Sequence, residues 1–191
     1  MTLQFTEADV PGPRRDLIGY GATPPAVHWP GGAKIAVNIV VNAEEGSEVS
    51  WAAGDARNEG LGEIPYGMPA EYRDLCVDSI YEYGARAGVW RLLRLFSEYR
   101  VPTTFYAAAV AFEQNPELAK AVVAGGHEVC SHGWRWEEPW TLSRDEEREH
   151  MLEAIASFER TCGTRPVGWY CRYGPSVHTR ELLVEEGGFL Y

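Results

Sequence analysis

What most constrains this chain is an alternation. From residue 33 onward, short runs of β-branched and aromatic residues exchange with segments of helical spacing. "AKIAVNIVVN" (33–42) is nearly continuous in apolar residues, which predicts a central parallel strand covered on both faces. Residues 43–70 are rich in Gly, Glu and Pro, and read as a long functional loop at that strand's carboxyl end. Helical spacing governs 71–100, where Leu75, Ser79, Tyr83, Val89, Leu92, Leu93 and Phe96 make stripes and Gly84 and Gly88 interrupt them. "PTTFYAAAV" then reads as a strand, and "NPELAKAVVAGG" as a helix with Pro116 in its first turn and glycines at its end. "HEVCSH" follows as a strand.

Ser143 with Glu146 is a capping-box signature before a helix carrying Met151, Leu152, Ile155 and Phe158. "RPVGWYCR" is predicted as a strand, "VHTRELLVEEGG" as a helix and "FLY" as the start of a fifth strand. Strand and helix alternating at this spacing imply right-handed βαβ units with a parallel sheet or barrel. The count is about four and a half units, whereas a closed barrel takes about 250 residues. The expectation is therefore an α/β barrel truncated at its C-terminus, the alternative being an open five-stranded sheet edged by "FLY".

A formal charge of −11, with Lys34 and Lys120 as the only lysines, leaves no basic stripe for a nucleic-acid backbone. It also leaves two candidates at most for any Schiff-base or phosphate-binding lysine. The opening "MTLQFTEADVPGPRRD" lacks a signal-peptide pattern, and no window has the ~18 apolar residues of a membrane span. A soluble cytoplasmic protein is expected, with no nucleic-acid or membrane partner. Cys76, Cys130, Cys162 and Cys171 include no C-x-x-C pair, and read as reduced, buried thiols.

In parallel α/β folds, loops at the carboxyl ends of strands build the active site. "NAEEG" offers Glu44 and Glu45, "AAVAFEQN" a loop after the second strand, "SHGWRW" His132, Arg135 and Trp136, and "CRYGPS" Arg172 and Tyr173. Adjacent carboxylates at the end of an apolar strand raise a pKa when crowded, which suits acid–base work near neutral pH. A solvated acidic loop extended by Glu48 is the bland alternative, as is a structural role for His132. His127 reads as structural, and His28, His150 and His178 lack partners at ligand spacing. The chain has no G-x-S-x-G elbow, phosphate loop or dinucleotide turn. A nucleophilic Cys130 or Cys171 remains open.

"RDLIGYGATPP", "WPGGAKIAVNIVVNAEEGSE", "YEYGARAGVWRLLRLF" and "GGHEVCSHGWRW" resemble, in order, signature stretches of the polysaccharide-deacetylase (NodB-homology) superfamily. Within it they resemble the allantoinases called metal-independent and the related cyclic imide hydrolases. The resemblance implies a distorted (β/α) barrel of about seven parallel strands, formed here by 33–191 after an extended arm over 1–32. It also implies a homo-oligomer, often a tetramer, with the arm packed on a neighbour.

In the metal-dependent members, two aspartates serve as base and metal ligand, and His-x-x-x-His adds two ligands. Carried over, Glu44 falls on the base, Glu45 on the ligand and His132 on the first histidine, while Trp136 replaces the second. Arg172 and Pro175 match an Arg-x-x-Pro whose arginine orients the catalytic carboxylate. Only Glu45 and His132 would remain for a metal such as zinc, fewer than the three protein ligands of a catalytic site, so no cofactor is expected.

The expected reaction is hydrolysis of a cyclic amide: allantoin, a hydantoin or an imide. Glu44 or Glu45 would activate water, His132 polarise the carbonyl or protonate the leaving nitrogen, and Arg172 hold the carboxylate. Trp136 would stack on the ring, with Arg135 and Tyr173 binding substrate. The alternatives are a metal-dependent N-deacetylase acting on an acetylated sugar or amine, and an inactive small-ligand-binding homologue.

Overall fold

A computed structural model of the chain describes residues 10–60 and 67–191. Two compact units are present, Met1–Asn38 and Ile39–Tyr191. In the first, Asp16 accepts hydrogen bonds from the backbone N–H groups of Ile18 and Gly19, and a 3-10 turn spans Pro30–Gly32. Ile35 and Val37 are 76 and 82 % exposed and lie outside any strand. The strand predicted over 33–42 is therefore confined to its end.

The second unit carries a three-stranded parallel sheet of β1 (Val40–Ala43), β2 (Thr104–Ala107) and β3 (Glu128–Ser131), in that order. The middle strand is β2, so the expectation of β1 as the central strand is corrected. Between β1 and β2 lie α1 (Leu75–Tyr83), a π turn (Gly84–Gly88) and α2 (Val89–Tyr99). Between β2 and β3 lie α3 (Ala109–Gln114) and α4 (Pro116–Ala124). Then come α5 (Arg144–Cys162) and α6 (Thr179–Glu186).

Local chemistry explains the helix limits. The Asp74 carboxylate caps α1 by accepting from the backbone N–H of Cys76 and Val77. Asn115 caps α4 with Pro116 at its first position, and Ser143 and Glu146 form the reciprocal box that starts α5. Gly163, at φ 70°, ends α5 in the left-handed region that a side chain would disfavour.

Some expectations fail. "AAVAFEQN" is a helix, α3, because Ala109, Ala111 and Phe112 bury against the sheet. In 71–100 the buried apolar residues are Val77, Val89 and Phe96, whereas Leu75 and Tyr83 are exposed. A π turn, Gly84–Gly88, stands between α1 and α2 and breaks the 3.6-residue period that a single helix would keep. "RPVGWYCR" makes only an isolated parallel bridge, Ser131 to Trp169, and "FLY" is not a strand, although Trp169 N–H donates to the Tyr191 carbonyl at 3.0 Å.

The strand register divides the sheet chemically. Val41, Phe105 and Val129 stand abreast, followed two residues on by Ala43, Ala107 and Ser131. Ala43, Phe105, Ala107 and Val129 from this face join Phe112, Leu118, Val122, Ala154 and Phe158 in the main core. Phe105, Phe112 and Phe158 are fully buried, which stabilises the unit by about 1.5–3 kcal/mol each. Side chains alternate along a strand, so Asn42, Tyr106 and Cys130 point to the opposite face. Glu44, Ala108 and His132 share that face one step on, where Ala108 N–H donates to the Ala43 carbonyl and His132 N–H to the Ala107 carbonyl. Helices thus cover one face, and polar groups collect at the carboxyl end of the other.

Candidate active site

Glu44 and His132 leave the sheet two strands apart, at backbones separated by roughly 9–10 Å. Ala108 stands between them with only a methyl group. Across this gap His132 Nε2 lies 2.8 Å from Glu44 Oε1. The other ring nitrogen, Nδ1, lies 2.5 Å from the Tyr170 carbonyl. A carbonyl can only accept, so Nδ1 carries a proton and the Nε2–Oε1 contact holds one proton between its partners. His132 is buried, and its ring stacks on Tyr170 at 5.4 Å between centroids.

The Glu44 carbonyl closes a turn by accepting from Ser47 N–H at 2.9 Å and Ser47 Oγ at 2.5 Å. Gly46 in that turn has φ 91°, and a Cβ there would stand 2.7 Å from Gln114 Oε1. Gln114 Nε2 donates to the Gly46 carbonyl, fastening the turn to α3. Asn42 Nδ2 donates to Glu44 Oε1 at 2.8 Å.

Glu45 has different surroundings. Its carboxylate lies against Gly84 in the π turn, where any Cβ would overlap Oε1. Burial pushes the Glu45 carboxyl above the usual carboxylate range, and likewise that of Glu48, which is itself buried rather than solvated. The carboxylate that meets His132 is therefore that of Glu44, and the metal-holding combination of Glu45 with His132 is not the pair that forms.

Arg172 does not take the expected partner. It grips Glu59 with two hydrogen bonds of 2.6 and 2.9 Å and donates to the Trp136 carbonyl at 2.7 Å, instead of orienting Glu44 or Glu45. Its guanidinium lies 3.8 Å from the Trp136 ring and reaches the Tyr173 hydroxyl at 3.1 Å. Trp136, 5 % exposed, therefore has one face covered by Arg172, with Tyr81 edge-on at 6.0 Å, and is not an open platform for a substrate ring. Among the described residues its indole N–H has no partner. Tyr173, more than half exposed, adopts φ 56°, a left-handed backbone conformation uncommon for a bulky side chain.

Arg135 is likewise engaged, by two hydrogen bonds to Asp55 of 2.7 and 3.0 Å and one to the Glu48 carbonyl. Its guanidinium holds the Asp55 carboxyl below the usual range. With Arg57 to Glu138 at 3.2 Å and Arg172 to Glu59, three ion pairs fasten the segment after β1 to the loops after β3 and Trp169. Arg135 and Arg172 thus bind protein in the positions expected to bind substrate or the catalytic carboxylate.

His150 proves to have a carboxylate partner, Glu137, at 2.7 Å. His132, Glu137, His150, Cys171 and Arg172 help line one cavity of about 30 Å³, enough to admit water. Cys130 is fully buried in β3 and its thiol is pushed up to about 12 by burial, which does not suit a nucleophile. Burial raises the Cys171 thiol also, whereas Cys76 is exposed, contrary to expectation. His127 is structural as read: Thr103 N–H donates to its Nδ1 and it packs between Phe96 and Phe105.

Asn42, Asp55 and Glu59 were not singled out in the sequence. Asn42 carried a usable signal, since it lies two residues before Glu44 on a strand and so on the same face. Glu59 carried none, being one of several glutamates in an aperiodic loop whose partner is 113 residues away.

The donor atoms around His132 are engaged within the protein. Both ring nitrogens of His132 are occupied by Glu44 and the Tyr170 carbonyl, and the second histidine position holds an indole without a ligating lone pair. No group of three or more His, Cys, Asp or Glu among the described residues is placed to hold an ion.

A parallel βαβ framework with a carboxylate–imidazole pair at its strand ends defines an α/β protein of the NodB type. The polysaccharide deacetylase family model matches residues 71–189, and the chain belongs to that family. It is 49 % identical to the crystal structure of PuuE allantoinase, with a TM-score of 0.86 over 93 % of this chain and 59 % of that one. A probable polysaccharide deacetylase of Pseudomonas aeruginosa PAO1 matches with the same identity and coverage at a TM-score of 0.87. A Schizosaccharomyces pombe protein named for the family is 35 % identical over 178 residues, 90 % of this chain and 55 % of its own length. The chain thus spans little more than half the length of these relatives. No helix among the described residues is long and apolar enough to cross a membrane.

Proposed function

We propose that this chain carries the acid–base pair of an enzyme that opens a cyclic amide by hydrolysis, on a hydantoin-like ring such as allantoin or on a cyclic imide. The observation that carries the proposal is the Glu44–His132 contact of 2.8 Å at the carboxyl ends of β1 and β3. The likeness to PuuE allantoinase at 49 % identity supports the substrate class.

Hydrolysis needs a base to take a proton from water and an acid to return one to the leaving nitrogen. Glu44 accepts the water proton as the oxygen attacks the ring carbonyl. His132, fixed by Tyr170 and sharing a proton with Glu44 through Nε2, supplies the proton to the ring nitrogen as the C–N bond breaks. The pair then holds one proton again and the cycle closes. Arg172 and Trp136 act as a packed wall behind the pair and bind no substrate through the indole face that Arg172 covers.

The test is release of the ring-opened ureido acid from allantoin, with hydantoin and a cyclic imide alongside, by the whole protein before and after metal chelation. Turnover of one of these rings that survives chelation is expected; no turnover of any contradicts the proposal. A second reading, a metal-dependent deacetylase of an N-acetylated sugar or amine, is favoured by the family match. The Helicobacter pylori peptidoglycan deacetylase, 30 % identical over 55 % of this chain, favours it too. It predicts near-stoichiometric bound metal and acetate release that chelation abolishes.

A further inference from the structure

We infer that Asn42 is a positioning residue that commits one oxygen of Glu44 to its partners and leaves the other for the attacking water. The inference rests on the hydrolytic reading of the Glu44–His132 pair and adds which atom works and what selects it. Both short contacts of the Glu44 carboxylate fall on one atom. Oε1 accepts from Asn42 Nδ2 at 2.8 Å and faces His132 Nε2 at 2.8 Å. Oε2 has no hydrogen bond among the described residues, while the side chain keeps 14 % of its surface exposed.

The geometry follows from the strand. Asn42 and Glu44 are two residues apart, so they share the face on which His132 emerges from β3. The backbone beneath Glu44 is already fixed by the Ser47 turn, and Asn42 sits in the β1–β2 ladder opposite Tyr106. The remaining freedom is rotation of the carboxylate about its last bond. A carboxylate held by His132 alone can exchange Oε1 for Oε2 by a half-turn. With Asn42 also donating to Oε1, one orientation keeps both bonds, and Oε2 is always the oxygen left without a hydrogen bond among the described residues.

The experiment compares the whole protein with Asn42→Leu and Asn42→Asp on whichever cyclic amide it turns over, recording kcat and KM, with thermal melting as a check on folding. Asn42 is exposed, so both variants are expected to melt close to the parent. For Asn42→Leu, kcat should fall roughly tenfold to hundredfold with KM little changed, the size expected for losing one hydrogen bond to a charged group. For Asn42→Asp, kcat should fall at least as far with KM again little changed, because the carboxylate that replaces the amide has no N–H to give to Oε1. An unchanged kcat in Asn42→Leu, or a fall carried by KM instead of kcat, overturns the assignment of Asn42 alone. A parent protein inactive on every cyclic amide overturns the hydrolytic reading and this inference with it.

Discussion

His132 Nε2 and Glu44 Oε1 stand 2.8 Å apart although their backbones leave the sheet on strands that are not neighbours. They meet because Ala108, at the end of the strand between them, has a side chain too short to intervene. The longer reach of glutamate, where the resemblance implies aspartate in the metal-dependent members, is the counterpart of that span.

Ala108 is therefore a sensitive position. It is fully buried, so Ala108→Val overpacks the site and should cost about 1–3 kcal/mol of stability. Its effect on turnover should be larger, about a hundredfold, because the acid–base contact is pushed apart. Thermal melting and kcat on the same preparation separate the two effects.

The Arg172–Glu59 pair is deeply buried, each side chain being 2 % exposed. Removing one partner strands a buried charge, so Glu59→Leu should cost about 3–5 kcal/mol. Glu59→Leu combined with Arg172→Met should be more stable than Glu59→Leu alone, because no uncompensated guanidinium remains. Urea unfolding of the two single variants, the double variant and the parent measures this coupling.

Stability should depend on pH through Glu45. Burial raises its folded-state value above the ordinary 4.5. A raised carboxyl contributes stability that is fully present below 4.5 and is lost as pH rises through the folded value. Glu45→Gln should therefore melt like the parent near pH 4 and above it at neutral pH. Melting curves across that range check the sign; a variant less stable than the parent at pH 7 contradicts it.

Much of the fold was legible because local chemistry and tertiary packing agree. Pro116 and Asn115 start α4 where expected, and Ser143 with Glu146 starts α5. The failures have physical causes. Ile35 and Val37 have strand composition but no strand partner among the described residues, and composition does not report pairing. A π turn separates α1 from α2, whereas a fixed helical period assumes one uninterrupted helix. In the site, Glu44 and His132 were readable because strand ends are places that sequence can locate. Their partners were less so: Glu59 and Asp55 are tied to Arg172 and Arg135 across 113 and 80 residues. Trp136 stands at the expected place, but only the structure reveals that Arg172 covers its face.

The cysteines should differ in reactivity. Cys130 is buried with its thiol pushed up to about 12, and Cys76 is exposed. Brief iodoacetamide treatment of the folded protein at pH 8 should label Cys76 and leave Cys130 unmodified, with peptide mass mapping as the readout.

The most direct measurement is the turnover of a cyclic amide by the parent and by Glu44→Gln after metal chelation. Glu44→Gln keeps the shape of the side chain and its hydrogen-bonding reach but cannot accept a proton from water. A parent that remains active with kcat reduced by about 10²–10⁴ in the variant is the expected result. Full activity in Glu44→Gln, or a parent whose activity disappears on chelation and returns with zinc, would contradict the assignment of Glu44 and His132 as the acid–base pair.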